Sequence, residues 1–159
     1  MKANYEFEVR LGTNSLTISG KNKPPSKPNS LGLNNGRVYK KPNIVCYEAL
    51  LASAIQKAIP VVEWVSQDEA KLFGYEAQSN RLYPVNPYYT KVSVQLSTYL
   101  KVGWKQRCDV DNLLKAVLDG IEASGLIIDD NDVFEVSSRK EYGADFTHHE
   151  IIICSYTSK

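Results

Sequence analysis

Between Arg107 and Val133 the chain reads RCDVDNLLKAVLDGIEASGLIIDDNDV. Two aspartates, Asp109 and Asp111, stand two residues apart, and Lys115 follows one helical turn after the second. An amphipathic run and a glycine lead to a second acidic knot, Asp129, Asp130 and Asp132. Carboxylates without histidine or cysteine suit a hard cation, Mg²⁺ or Mn²⁺, rather than zinc. Asp109, Asp111 and one or both of Asp129 and Asp130 are the candidate ligands. Such a cation polarises a phosphodiester, lowers the pKa of an attacking water and steadies the leaving oxygen. Lys115 would neutralise charge developing on the phosphorane or orient the water. The same residues also have an ordinary reading. An aspartate at a helix start satisfies free backbone N–H groups and meets the positive end of the dipole. Asp111 with Lys115, and Lys115 with Asp119, are common i,i+4 pairs. Asp129 to Asp132 can be a polar turn. On spacing alone the ordinary reading is the better one.

These residues need elements to hold them. Val110, Leu113, Leu114, Val117, Leu118 and Ile121 make an apolar stripe at helical spacing, which predicts a helix over 110–124 ended by Gly125. Asp111, Lys115, Asp119 and Glu122 mark its polar side. Such a helix is about 20 Å long. Asp109 and Asp130 then lie near opposite ends, and share a cation only if 126–129 folds back or a second chain supplies one of them. An isologous dimer with antiparallel helices would do the latter, giving two equivalent sites.

Strict alternation predicts strands at 4–11, with Tyr5, Phe7, Val9 and Leu11 on one side, and at 90–100, with Val92, Val94, Leu96, Thr98 and Leu100 on one side. Leu16 and Ile18 continue the first strand as a second short run after Gly12-Thr13-Asn14. Ile44, Tyr47, Leu51, Ile55 and Ala58 predict a helix over 43–59, stopped by Pro60. Residues 133–142 and 150–156 read as two strands joined in a hairpin around Gly143–Thr147. Residues 20–42 are rich in Gly, Pro, Asn, Ser and Lys and read as a long basic loop without regular structure. Residues 61–88 read as a surface insertion. Within it a short helix near 67–73 starts at the Ser66/Glu69 capping box, and 79–89 is loop. The expectation is a single α+β (mixed α/β) domain, 1–159, with a mostly antiparallel sheet and two main helices.

At 159 residues the chain is long enough to bury a core. Net charge is +1, but the charges are segregated. No acid lies between Glu8 and Glu48, where Lys21, Lys23, Lys27, Arg37, Lys40 and Lys41 accumulate, while acids concentrate from Asp109 to Glu135. A basic arm beside an acidic core suits a polyanion bound next to a cation. The candidate DNA contacts are Lys23, Lys27, Arg37, Lys40 and Lys41, with Lys105 and Arg107 leading into the acidic motif. Cys46, Cys108 and Cys154 are odd in number and far apart, which argues against a disulfide framework or a structural zinc site. No apolar run is long enough to span a membrane, and MKANYEFEVR does not read as a signal peptide. A cytoplasmic protein is expected.

CDVDNLLKAVLDGIEASGLIIDDNDVFEV resembles the RusA family of Holliday junction resolvases. The matching residues are Asp109, Asp111, Asn112, Leu113, Lys115, Leu118, Asp119, Gly120, Asp129, Asp130 and Val133. Lys140, Tyr142 and Gly143 match the family's basic strand and turn. The resemblance implies a homodimeric, Mg²⁺-dependent endodeoxyribonuclease that resolves four-way DNA junctions in recombination, repair or phage DNA processing. It also implies Asp109, Asp111 and Asp130 as metal ligands and Lys115 as a catalytic residue. It reverses the preference that spacing gave. A nuclease for other branched DNA, such as flaps or forks, and a non-catalytic DNA-binding module are the competing readings.

Overall fold

The computed structural model describes residues 5–26, 31–34, 37–40, 42–59, 64–72, 82–84, 88–105 and 109–156, the side chains of 31–40, 67 and 83 excepted. A five-stranded sheet carries the fold. Its strands are β1 (Phe7–Gly12), β2 (Ser15–Lys21), β7 (Val92–Lys101), β8 (Val133–Ala144) and β9 (His148–Ser155), in the order β1-β2-β9-β7-β8. Three of the four pairings are antiparallel, and β7 with β8 is parallel. Two main helices, α1 (Pro42–Ala58) and α3 (Val110–Ser124), complete an α+β single domain. Smaller elements are the pairs β3 (Leu31–Asn34) with β4 (Arg37–Lys40) and β5 (Trp64–Val65) with β6 (Tyr83–Pro84), and the short α2 (Gln67–Leu72).

Period-two alternation decides which face of the sheet is buried. Ile18 and Leu96 both align with Ile151 across the three central strands, and all three are excluded from solvent. Tyr47, Leu51 and Ile55 of α1 and Leu113, Val117 and Ile121 of α3 cover that face. The two helices pack closely because Gly120 has no side chain. A Cβ there would stand 2.7 Å from Leu51 Cδ2, an overlap of the kind that costs about 1–3 kcal/mol in a packed core.

One polar knot lies inside this apolar layer. His149 is wholly buried, with Tyr47 Oη 2.8 Å from its Nε2 and the Asn22 carbonyl 2.6 Å from its Nδ1. A carbonyl only accepts, so Nδ1 carries the proton and Nε2 accepts from the tyrosine. Burial pushes the His149 pKa down to about 4 and the Tyr47 hydroxyl well above its ordinary value, so both stay neutral. Gly20 makes room for the ring: a Cβ there would lie 2.6 Å from His149 Nε2 and 2.9 Å from Phe7 Cε1. The knot fixes Asn22, where the basic segment begins.

The structure departs from the sequence expectations at four places. The terminal strands are not a hairpin. β7 lies between β8 and β9 and pairs with both, because the crossover through α3 sets β8 parallel along one edge of β7 and leaves the other edge to β9. Residues 20–42 are not uniformly irregular: β2 runs on to Lys21, and β3 pairs with β4. Between those two strands the sequence is Asn35-Gly36, the strongest short-range hairpin signal. The segment 79–89 contains β6, paired with β5. Leu11 is 56 % exposed, because β1 is an edge strand that outruns the helix layer.

Candidate functional site

β7, α3 and β8 form one parallel strand–helix–strand unit, and the candidate site residues sit at its two ends. α3 begins at Asp109, which occupies the N-cap position with extended backbone (φ −89°, ψ 134°). Its side chain makes no cap hydrogen bond. The ordinary reading of Asp109 as a capping side chain therefore fails. Asn112, a buried residue of the first turn, instead points its Nδ2 at Asp109 Oδ2, 3.5 Å away. Asp111 and Lys115 are exposed on the outer side of the same helix end. Nearby partial positive charge from the helix N-terminus favours anions. Ser138 of β8 donates its hydroxyl to the Val110 carbonyl at 2.8 Å and so pins this helix end to the middle of the strand.

The other acidic group is remote. Gly125 caps α3 in the left-handed region (φ 81°), and its N–H reaches the Glu122 carbonyl at 3.1 Å. Leu126 and Ile127 then enter the core, and the Leu126 carbonyl accepts from Tyr89 N–H, just ahead of β7, at 3.0 Å. The chain thus continues to the start of β7 and does not fold back along the helix. Asp129 accepts from the Asn131 amide at 2.9 Å and caps a single 3-10 turn, Asp130–Asp132. Asp132 accepts from the Ile128 amide at 3.2 Å, and partial burial raises its carboxyl pKa. The polar-turn reading therefore holds for Asp129 and Asp132. Asp130 lies exposed at the head of the turn.

At 1.5 Å per residue, α3 separates the Asp109/Asp111 end from the Asp130 end by about 20 Å. Among the described residues no three His, Cys, Asp or Glu side chains are close enough together to hold a metal ion. Asn112 is brought to Asp109, Asp111 stands two residues on, exposed at the same helix end, and Asp130 lies at the other end of α3. The donor chemistry nonetheless fits a hard cation as a half-site: Asp109 and Asp111 offer exposed carboxylate oxygens not engaged in capping. Sequence reading missed the positioning roles of Asn112 and Ser138. The burial of a polar residue inside an apolar stripe was a signal for the first. The second depends on a 28-residue separation that no local pattern encodes.

Of the expected DNA contacts, Lys105 is exposed, and the Lys23 Nζ lies 3.5 Å from the Pro24 carbonyl. Arg37 and Lys40 lie on β4, with their side chains outside the description. Lys27, Lys41 and Arg107 lie outside the described residues, as does Cys108. Cys46 and Cys154 are free thiols. Among the described residues no helix is long and apolar enough to cross a membrane.

No curated protein matches the chain. A family model described as Endodeoxyribonuclease RusA matches residues 22–154, a span that takes in all but the first two residues of the basic segment, both main helices and each acidic group discussed above. With most of its 159 residues matched, the chain belongs to the RusA endodeoxyribonuclease family.

Proposed function

We propose that this protein is a Mg²⁺-dependent endodeoxyribonuclease that resolves four-way DNA junctions as a homodimer. The observation that carries the reading is the exposed, uncapped Asp109 beside Asp111 at the start of α3, within a chain of the RusA family. Asp109 and Asp111 of one subunit and Asp130 of a second would hold the cation. When bound, Mg²⁺ supplies Lewis-acid polarisation of the phosphodiester and a more acidic water. Asn112 holds Asp109 in orientation, and Ser138 fixes the helix end that carries both aspartates. Lys115, one turn further along the exposed side, offers positive charge to the phosphorane. An isologous pair with antiparallel α3 helices brings the Asp130 end of each chain to the Asp109 end of the other. β8 lies at the sheet edge next to α3 and exposes Phe134 and Val136 in its first half, which supports that half as the part of the strand that such a partner meets.

The test is incubation of the pure protein with a labelled synthetic four-way junction, with and without Mg²⁺, beside flap and fork substrates. Paired, Mg²⁺-dependent cuts in the junction are expected, and Asp111→Asn should keep junction binding while losing cleavage. Full cleavage by Asp111→Asn would refute the assigned site. Preference for flaps or forks would replace the junction with another branched substrate.

A further inference from the structure

Two adjacent cations on β8 point to opposite faces of the sheet. Arg139 is engaged on the face away from the helices. Its Nε lies 3.0 Å from Ser97 Oγ, a guanidinium nitrogen lies 3.3 Å from Tyr99 Oη, and Glu141 pairs with it at 3.3 Å. Ser138 faces the helix layer, since its hydroxyl reaches the Val110 carbonyl. Lys140 and Tyr142 lie two and four residues on, and share that face. The ladder agrees: Ser138 aligns with buried Leu96, Lys140 with buried Thr98 and Tyr142 with buried Leu100.

The position along the strand is what matters. α3 starts at the level of Ser138, and the strand continues past it toward Ala144. Lys140 stands about 7 Å beyond the Ser138 anchor. It therefore emerges from under the N-terminal end of α3, on the side where Asp109 and Asp111 lie. Its ammonium is 5.9 Å from the centre of the Tyr142 ring, an exposed aromatic face that steadies a cation. Two buried polar atoms at this end of β7, Thr98 Oγ1 and Trp104 Nε1, have no hydrogen-bond partner among the described residues. Both can donate, and Thr98 is the ladder neighbour of Lys140.

We infer that Lys140, held by the Tyr142 ring, binds a DNA backbone phosphate next to the Asp109/Asp111 half-site. Lys115 on the helix and Lys140 on the strand are separate basic residues of this end of the unit, and the phosphate role is assigned to Lys140 alone. Lys140 is a substrate-positioning residue, acting through a phosphate and not through the water or the cation. The inference rests on the nuclease reading for its substrate, but its test does not require cleavage.

The experiment measures binding of a labelled synthetic four-way junction in EDTA over a range of salt concentrations. It uses the wild type, Lys140→Gln, Lys140→Arg and Arg139→Gln, each checked for folding by circular dichroism. Removing one phosphate contact lowers the slope of log K against log salt by about 1. Lys140→Gln should show that loss, Lys140→Arg should retain the slope, and Arg139→Gln, with the same charge change one residue away on the other face, should also retain it. An unchanged slope in Lys140→Gln, or an equal loss in Arg139→Gln, would overturn the inference while leaving the nuclease reading intact. Wild-type protein that binds no junction would overturn both.

Discussion

The separation of Asp109 from Asp130 leads to a test by mixing two inactive chains. Ligands of one Mg²⁺ each lie about 2.1 Å from it, so their oxygens cannot be more than about 4 Å apart. The 15 residues of α3 hold the two acidic ends roughly five times further apart. No side-chain movement closes that gap, and Leu126 and Ile127 are built into the core on the way. If the cation is shared between subunits, Asp111→Asn and Asp130→Asn should each lose Mg²⁺-dependent cutting as homodimers. Co-refolded in equal amounts, half of the dimers are mixed. Each mixed dimer has one site with both defects and one with neither, so about a quarter of wild-type sites return. The assay is cleavage of a labelled junction resolved on a denaturing gel, and the product should be single-strand nicks rather than paired cuts. Distinct affinity tags on the two variants, purified in tandem, verify that mixed dimers exist. Tandem-purified mixed dimers as inactive as their parents would refute the shared site and with it the antiparallel arrangement of α3.

Two further perturbations act on the scaffold. His149 has its pKa lowered to about 4 by burial, against about 6.5 unfolded, so the unfolded chain takes the proton first. Its contribution is present above pH 6.5 and is lost as pH falls toward 4, on the order of 3 kcal/mol. Urea denaturation at pH 7 and pH 4.5 should show most of that fall in the wild type and much less of it in His149→Gln; equal falls would refute the neutral, buried assignment. Ser138→Ala removes the hydroxyl that pins α3 and should cost about 1 kcal/mol in stability. It should also slow single-turnover cleavage without changing the salt slope of junction binding, and wild-type single-turnover rates would show that the pin does not position the aspartates.

The strands and helices with a strong period were legible in the sequence, because one buried face imposes the pattern directly. Val92 to Leu100 and the stripe from Leu113 to Ile121 are where they were expected. The partners of those elements were not legible. Local alternation places 133–142 and 150–156 in strands, but cannot say that β7 inserts between them, since pairing is decided by the crossover through α3. In the basic segment, Asn35-Gly36 announced a hairpin that the surrounding prolines and glycines concealed. At the site, the acidic residues stood out by type, and the length of α3 already implied their separation. Lys140 stood out only by its match to the family's basic strand, and Ser138 did not stand out at all, because it reaches the helix end only through the parallel register of β7 with β8.

That parallel register gives α3 the character of a caliper. In a two-fold dimer with crossed ends, the spacing between the two cutting centres is the length of this one helix, capped at one end by Gly125 and clamped at the other by Ser138. Inserting one helical turn would move the centres apart by about 5.4 Å without altering either. The distance between the scissile phosphates of a branched substrate is then written in the number of residues between Asp109 and Gly125.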